Sequence, residues 1–369
     1  MINFKRKATL HLKNIIGKKV NKRIVVFSFD DFGNVFLNSK KAKDKLVKDG
    51  INVENSRFSM FDILEHKDDL SHLFESLTSF KDKNGNHPVI TAFSSPANID
   101  FDKVLAVGNF EYQYETLPET FQKLPKYEGT WDLWKEGINN KLLFPQFHGR
   151  EHLNVHLFNK LLVCKDKIFL KNLENRSYAV ILNPFDKQVG FTEAFSFNEY
   201  IEVESHKRII EDGTHLFKKV FGEYPLHFNA PGAREHKDLE KTISEQGMIL
   251  LDTDILKKEH QGGGSKENRY HYLGQKNEYG QTYIYRNCVF EPLLNSDCVD
   301  DCLNEMEIAF THNKPANISS HRVNFVGGID VKVRVLGISK FKELIRRMMK
   351  KWPDIEFKTT VDLINIWSK

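Results

Sequence analysis

Short apolar runs alternate with longer amphipathic stretches along most of this chain. The runs are Ile24–Phe29, Pro88–Phe93, Leu143–Phe147, Ser177–Leu182, Leu226–Phe228, Met248–Leu251, Cys288–Phe290 and Ala316–Ser320. Each is too short for a helix and most carry β-branched or aromatic residues, so each predicts a strand. Between them, Glu204–Phe221, Asp238–Gln246 and Lys340–Lys351 space their apolar residues at helical intervals, and Pro353 follows the last. Strands alternating with helices predict parallel pairing. The expected fold is therefore α/β, a distorted (β/α) barrel of seven or eight strands. A doubly wound open sheet is the other arrangement compatible with this order.

Polar residues close several of the runs: Asp30-Asp31, His148, Pro231, Asp252 and His321. In a (β/α) barrel these ends share one rim, where ligands bind. Residues 24–369 read as a single catalytic domain with insertions near 94–143 and 257–286. The first holds Trp131 and Trp134, three apart on a predicted helix. That spacing fits packing onto the barrel better than a wall for stacking sugars. Gln261–Ser265 contains three glycines and reads as a flexible loop without phosphate-binding spacing.

Composition adds limits. The 369 residues are 40% hydrophobic and 28% charged with a net charge of +4, which describes a folded globular chain without the basic excess of a nucleic-acid binder. Residues 1–23 form a basic leader with eight Lys or Arg and no acid. It has no continuous apolar segment to serve as a signal or transmembrane helix. One reading is a solvated leader. The other is peripheral contact with an anionic membrane or a polysaccharide-synthesis complex. The four cysteines form no CxxC pair and are expected to be reduced, which with the lack of an export signal points to a cytoplasmic protein, with membrane association the alternative.

The chemistry gathers on two stretches. Asp30 and Asp31 end a buried strand, and two adjacent buried carboxylates need a positive partner. His148 and His152, four apart at an expected helix start, can both face one ion. Asp31 completes a two-histidine, one-carboxylate set, a common arrangement for catalytic metals. Asp30 is then placed to take a proton from a water, and His321 to protonate a leaving group. The Gly232 N–H is a candidate oxyanion donor. Asp252 and Asp254 are candidates to orient His321.

Ser28-Phe29-Asp30-Asp31-Phe32-Gly33 and His148-Gly149-Arg150-Glu151-His152 resemble the first two motifs of the polysaccharide deacetylases of the NodB-homology type, carbohydrate esterase family 4. Asn229-Ala230-Pro231-Gly232 and His321 resemble the third motif and the late histidine. The resemblance spans about residues 24–325. It implies a distorted barrel, a divalent ion, most readily zinc, and removal of N-acetyl groups from a carbohydrate. It also implies an arginine beside the base, yet Asn229 stands at that place. Arg150 or Arg234 are the candidates to substitute. A metal-free glycosidase on a similar barrel and a non-catalytic carbohydrate-binding protein are the alternative functions.

Overall fold

A computed structural model describes residues 4–106 and 111–368. Its main sheet contains nine strands: β1 (Ile24–Phe32), β2 (Ile90–Ser94), β3 (Leu143–Phe147), β4 (His227–Phe228), β5 (Leu250–Asp252), β6 (Thr282–Ile284), β7 (Cys288–Val289), β8 (Ala316–His321) and β9 (Glu356–Lys358). The order β6-β5-β4-β3-β2-β1-β8-β7 is parallel throughout. It curls into an eight-stranded (β/α) barrel with a seam between β6 and β7, which are consecutive in the chain. β9 pairs with Ile24–Val26, below the stretch of β1 that pairs with β2.

β1 is buried along all nine residues, as a strand with parallel neighbours on both edges and helices outside must be. Phe27 and Phe29 pack against Phe341 of the long helix Val331–Lys351, with ring centroids 5.2 and 5.6 Å apart. Because every strand runs the same way, the C-terminal ends of β1, β3, β4, β5 and β8 meet at one rim. Asp30, His148, Asn229, Asp252 and His321 are delivered there together.

Two strand expectations are corrected. Ser177–Leu182 pairs with no strand: it is an irregular loop with Val180 at φ 55°, and its apolar side chains face a cavity and Phe36 instead. Conversely, Thr282–Ile284 forms β6 although only three residues long. The stretch 94–143 contains the hairpin Ala97–Ile99 with Tyr114–Thr116 and the helix Thr130–Asn139; residues 107–110 lie outside the described residues. Trp134 is fully buried, its indole N–H donating to Glu65 at 2.9 Å, and Trp131 packs on Phe121 and Phe221. Neither Trp131 nor Trp134 lines the cavity. Gln261–Ser265 is the turn of a hairpin joining Leu256–His260 to Lys266–Tyr270.

The basic segment also departs from a solvated leader, its first three residues lying outside the described ones. The helix Phe4–Ile15 lies on the helix Cys298–Thr311, with Arg6 paired to Asp301 and Glu305 at 2.9 Å each. The four cysteines are free, and Cys288, Cys298 and Cys302 are buried. No helix among the described residues is long and apolar enough to cross a membrane.

Candidate metal centre and active site

Adjacent residues of a regular strand point to opposite faces. Asp30 and Asp31 escape this through a bulge. Between Phe29, opposite Ala92, and Phe32, opposite Ser94, β1 has two residues where β2 has one. Asp31 takes the left-handed conformation, φ 74°, which is uncommon for a non-glycine residue. Both carboxylates thereby line one cavity. Such a backbone state is costly and persists where neighbours impose it. Here Arg322 donates to the carbonyl of Asn34 at 2.7 Å, and Glu65 accepts the Gly33 N–H at 3.1 Å, just beyond the bulge.

Asp31, His148 and His152 converge, with one donor atom from each lying within 4.8 Å of the others. His148 leaves the end of β3. Its Nδ1–H donates to the carbonyl of Asn229 at 2.7 Å, so Nε2 faces Asp31 at 3.5 Å. His152 Nε2 lies 3.1 Å from the same carboxylate oxygen. The expected helix start is not what joins them. Residues 148–154 form a loop that turns at Gly149, φ 83°, and the helix begins only at Val155, capped by Asn154. Burial pushes the Asp31 carboxyl up, but hydrogen bonds from His148 and His152 hold it well below its ordinary value. Two imidazole nitrogens, one oriented by a backbone carbonyl, and one carboxylate form a donor set that fits zinc or a similar divalent ion.

Asp30 faces a different set. Arg286 grips it with two hydrogen bonds, Nη1 to Oδ2 at 2.6 Å and Nη2 to Oδ1 at 2.8 Å. Asn229 Nδ2 donates to Oδ1 at 2.9 Å. Asp252 in turn accepts from Arg286 Nε at 2.8 Å. Burial raises the Asp30 pKa, and the charge of Arg286, then that of His148, more than reverses this, so the group lies below the ordinary carboxylate value. Asp252 moves the other way, to about 6, because burial and the nearby Asp30 charge outweigh Arg286. Arg286 is thus the cation missing at Asn229. Arg150 instead binds Glu151 and Asp212, both at 2.7 Å, and Arg234 binds Glu193. Arg286 carries no motif signal; only its place between β6 and β7, at the seam, marks it.

His321 closes the ring of polar groups. Its Nδ1–H donates to Glu291 at 2.5 Å, and its Nε2 lies 3.7 Å from Asp30 Oδ2. Glu291 is held from behind by Arg57 and by Asn324 Nδ2 at 2.6 Å. Burial lowers the imidazole pKa, but the Glu291 hydrogen bond and the charges of Asp31 and Asp30 raise it to about 9. This corrects the expected orienting group: neither Asp252 nor Asp254 hydrogen-bonds His321 among the described residues. Asp252 serves Arg286, and Asp254 lines the cavity while its carbonyl meets His271. Glu291 was not singled out in the sequence, where it follows β7 by two residues as an ordinary loop acid. Gly232, φ 71°, also lines the cavity, in the turn Pro231–Ala233.

The cavity holds about 760 Å³. The carboxylates and histidines line its floor, and Phe36, Phe58, Tyr178, Ile181 and Phe191 supply apolar wall.

No protein-family model and no curated protein matches the chain. Solved structures with similar folds include polysaccharide deacetylases. A putative polysaccharide deacetylase from Mycobacterium smegmatis aligns over 95% of this chain and 92% of its own, with 11% identity and a TM-score of 0.43. The peptidoglycan deacetylase PdaC from Bacillus subtilis aligns over 94% and 93%, with 10% identity and a TM-score of 0.35. Puue allantoinase aligns over 96% and 93%, with 8% identity and a TM-score of 0.45.

Proposed function

We propose that this protein is a metal-dependent amide hydrolase that removes N-acetyl groups from a carbohydrate. One observation carries the reading: Asp30 and Asp31 are neighbours in the chain, yet Asp31 faces two imidazole nitrogens while Asp30 faces Arg286 and Asn229. One carboxylate is therefore equipped as a ligand and the other as a base.

Asp31, His148 and His152 would hold a divalent ion, which would supply Lewis acidity for the attack of water on the amide. Asp30 takes a proton from that water as its oxygen bonds to the acetyl carbon. The Gly232 N–H is assigned to the charge that develops on the carbonyl oxygen. His321 delivers its Nε2 proton to the departing amine as the carbon–nitrogen bond breaks, and Glu291 keeps the ring oriented through Nδ1. Acetate and a free amino sugar leave, and the proton on Asp30 restores His321, 3.7 Å away. The polar floor and aromatic wall give a sugar both hydrogen-bonding groups and faces to stack on.

Acetate release from N-acetylated oligosaccharides tests the reading, with chelated and metal-reloaded protein compared. Release should require metal and vanish in Asp30→Asn. Undiminished release by metal-free protein would sink it. Glycosidic cleavage without acetate release would favour a glycosidase, and tight sugar binding without turnover a lectin-like role.

A further inference from the structure

The helix Phe4–Ile15 covers the barrel seam. The Tyr285 hydroxyl donates to the carbonyl of Lys13 at 2.6 Å, and Asn287 Nδ2 donates to Asn14 at 2.9 Å. Lys314 fixes the end of the segment by donating to the carbonyls of Gly17 and Lys18. The buried face of the helix carries Leu10 and Asn14. Its outer face mixes exposed basic side chains with large apolar ones, where a surface helix is ordinarily polar. Leu12 is 67% exposed, Ile15 52%, and Ile16, one residue past the helix, 63%. These lie three and four apart and so form one stripe.

The charge carried by this segment is of one sign. Lys7, Lys13, Lys18 and Lys19 form no ion pair among the described residues, whereas Arg6, Lys22 and Arg23 are paired with acids. Residues 1–23 contain no Asp or Glu. Lys13 lines the mouth of the catalytic cavity, whose wall also includes the exposed Leu182 and Val289.

From the unpartnered apolar stripe, the one-signed charge of its segment and the shared cavity mouth, we infer that this face docks on an anionic lipid bilayer. Apolar side chains enter the headgroup boundary while lysines meet the lipid phosphates, the two interactions that hold interfacial helices. The cavity then opens beside the bilayer, so the glycan it serves is one presented at a membrane surface. That last step rests on the deacetylase reading above; the docking does not.

The test is co-sedimentation of the full chain with vesicles of phosphatidylcholine containing about one-third phosphatidylglycerol, against vesicles of phosphatidylcholine alone. The protein should pellet with the anionic vesicles only, and less as salt rises. Leu12→Asp/Ile16→Asp and Lys7→Glu/Lys19→Glu should each reduce binding about tenfold or more, with unchanged circular dichroism. All four side chains are exposed, so acetate release from a soluble oligosaccharide should be unaffected. The inference is overturned by failure to pellet, by equal pelleting with neutral vesicles, or by variants that bind as the parent does. It is equally overturned if the stripe proves to hold a second copy, seen as a dimer on sizing that Leu12→Asp/Ile16→Asp abolishes. Vesicle binding needs no turnover, so its failure and a failure of acetyl hydrolysis are read separately.

Discussion

Arg286 and Asp30, 256 residues apart in sequence, meet through two parallel hydrogen bonds of 2.6 and 2.8 Å. The arginine stands over the Phe93 ring, 5.0 Å from its centroid, and its Nε donates to Asp252 while Nη1 also reaches Ser319 Oγ. A bidentate pair of this kind fixes the carboxylate's plane as well as its charge. Arg286→Met should therefore raise the Asp30 pKa. A base with a higher pKa is protonated over more of the acid range, so the acid limb of the kcat/KM profile should move upward by about one to two pH units. Arg286→Lys should restore charge without the two-point grip and recover only part of the activity. An acid limb that stays in place in Arg286→Met would remove Arg286 from this role.

The base and the proposed metal ligands should respond differently to substitution. Asp30→Asn keeps the hydrogen-bonding shape but cannot accept a proton, and should lower kcat by about 10²–10⁴ with metal content unchanged. His148→Ala or His152→Ala removes one of the three proposed donors, and should lose both metal and activity. Elemental analysis beside initial rates separates the two outcomes. Metal loss in Asp30→Asn would mean that the two aspartates share one job.

How much of this was legible in the chain differs between the candidate ligands and the groups that orient the site. Asp31, His148 and His152 stand out because strand ends carrying metal-ligand residue types are rare and local. The loop joining the histidines was not legible, because a spacing of four fits a helix as readily as a turn at Gly149. Asn229 posed a question that only the fold answers, since the seam sets Arg286 opposite β1. Glu291 was hidden for the same reason: an acid in a loop gains meaning only when β7 and β8 lie side by side. Ser177–Leu182 misled because lining a cavity and lining a sheet demand the same apolar residues.

His321 should titrate where the alkaline side of the profile can be read. Its folded pKa of about 9 lies above the ordinary 6.5, because the Glu291 hydrogen bond and the charges of Asp31, Asp30 and Glu291 together outweigh burial. As general acid it should support activity up to about pH 9 and fail above. The linked stability follows the same sign: the protonated pair stabilises the fold fully below pH 6.5, progressively less between 6.5 and 9, and not above. Glu291→Gln should lower the alkaline limb toward neutral pH and flatten this dependence. An unchanged alkaline limb in that variant would assign it to another group.

Arg322 offers a prediction about stability rather than proton transfer. It is 1% exposed and binds Asp62 at 2.8 Å, Glu65 at 3.0 Å and the carbonyl of Asn34 at 2.7 Å. Even so paired, Asp62 is raised to about 6: burial pushes it up, Arg322 opposes, and the charge of Asp31 adds to the rise. Removing the arginine leaves two buried carboxylates without their cation. Arg322→Met should cost about 3–5 kcal/mol in denaturant unfolding at neutral pH, because a broken buried pair loses more than a surface one. Lowering the pH toward 5 should return part of that loss, as Asp62 takes up a proton and its buried charge disappears. The same variant frees the turn at Gly33-Asn34 that sustains the left-handed backbone of Asp31, so metal affinity should fall although no ligand is changed. A loss below about 1 kcal/mol with metal affinity intact would show that the bulge holds itself without Arg322.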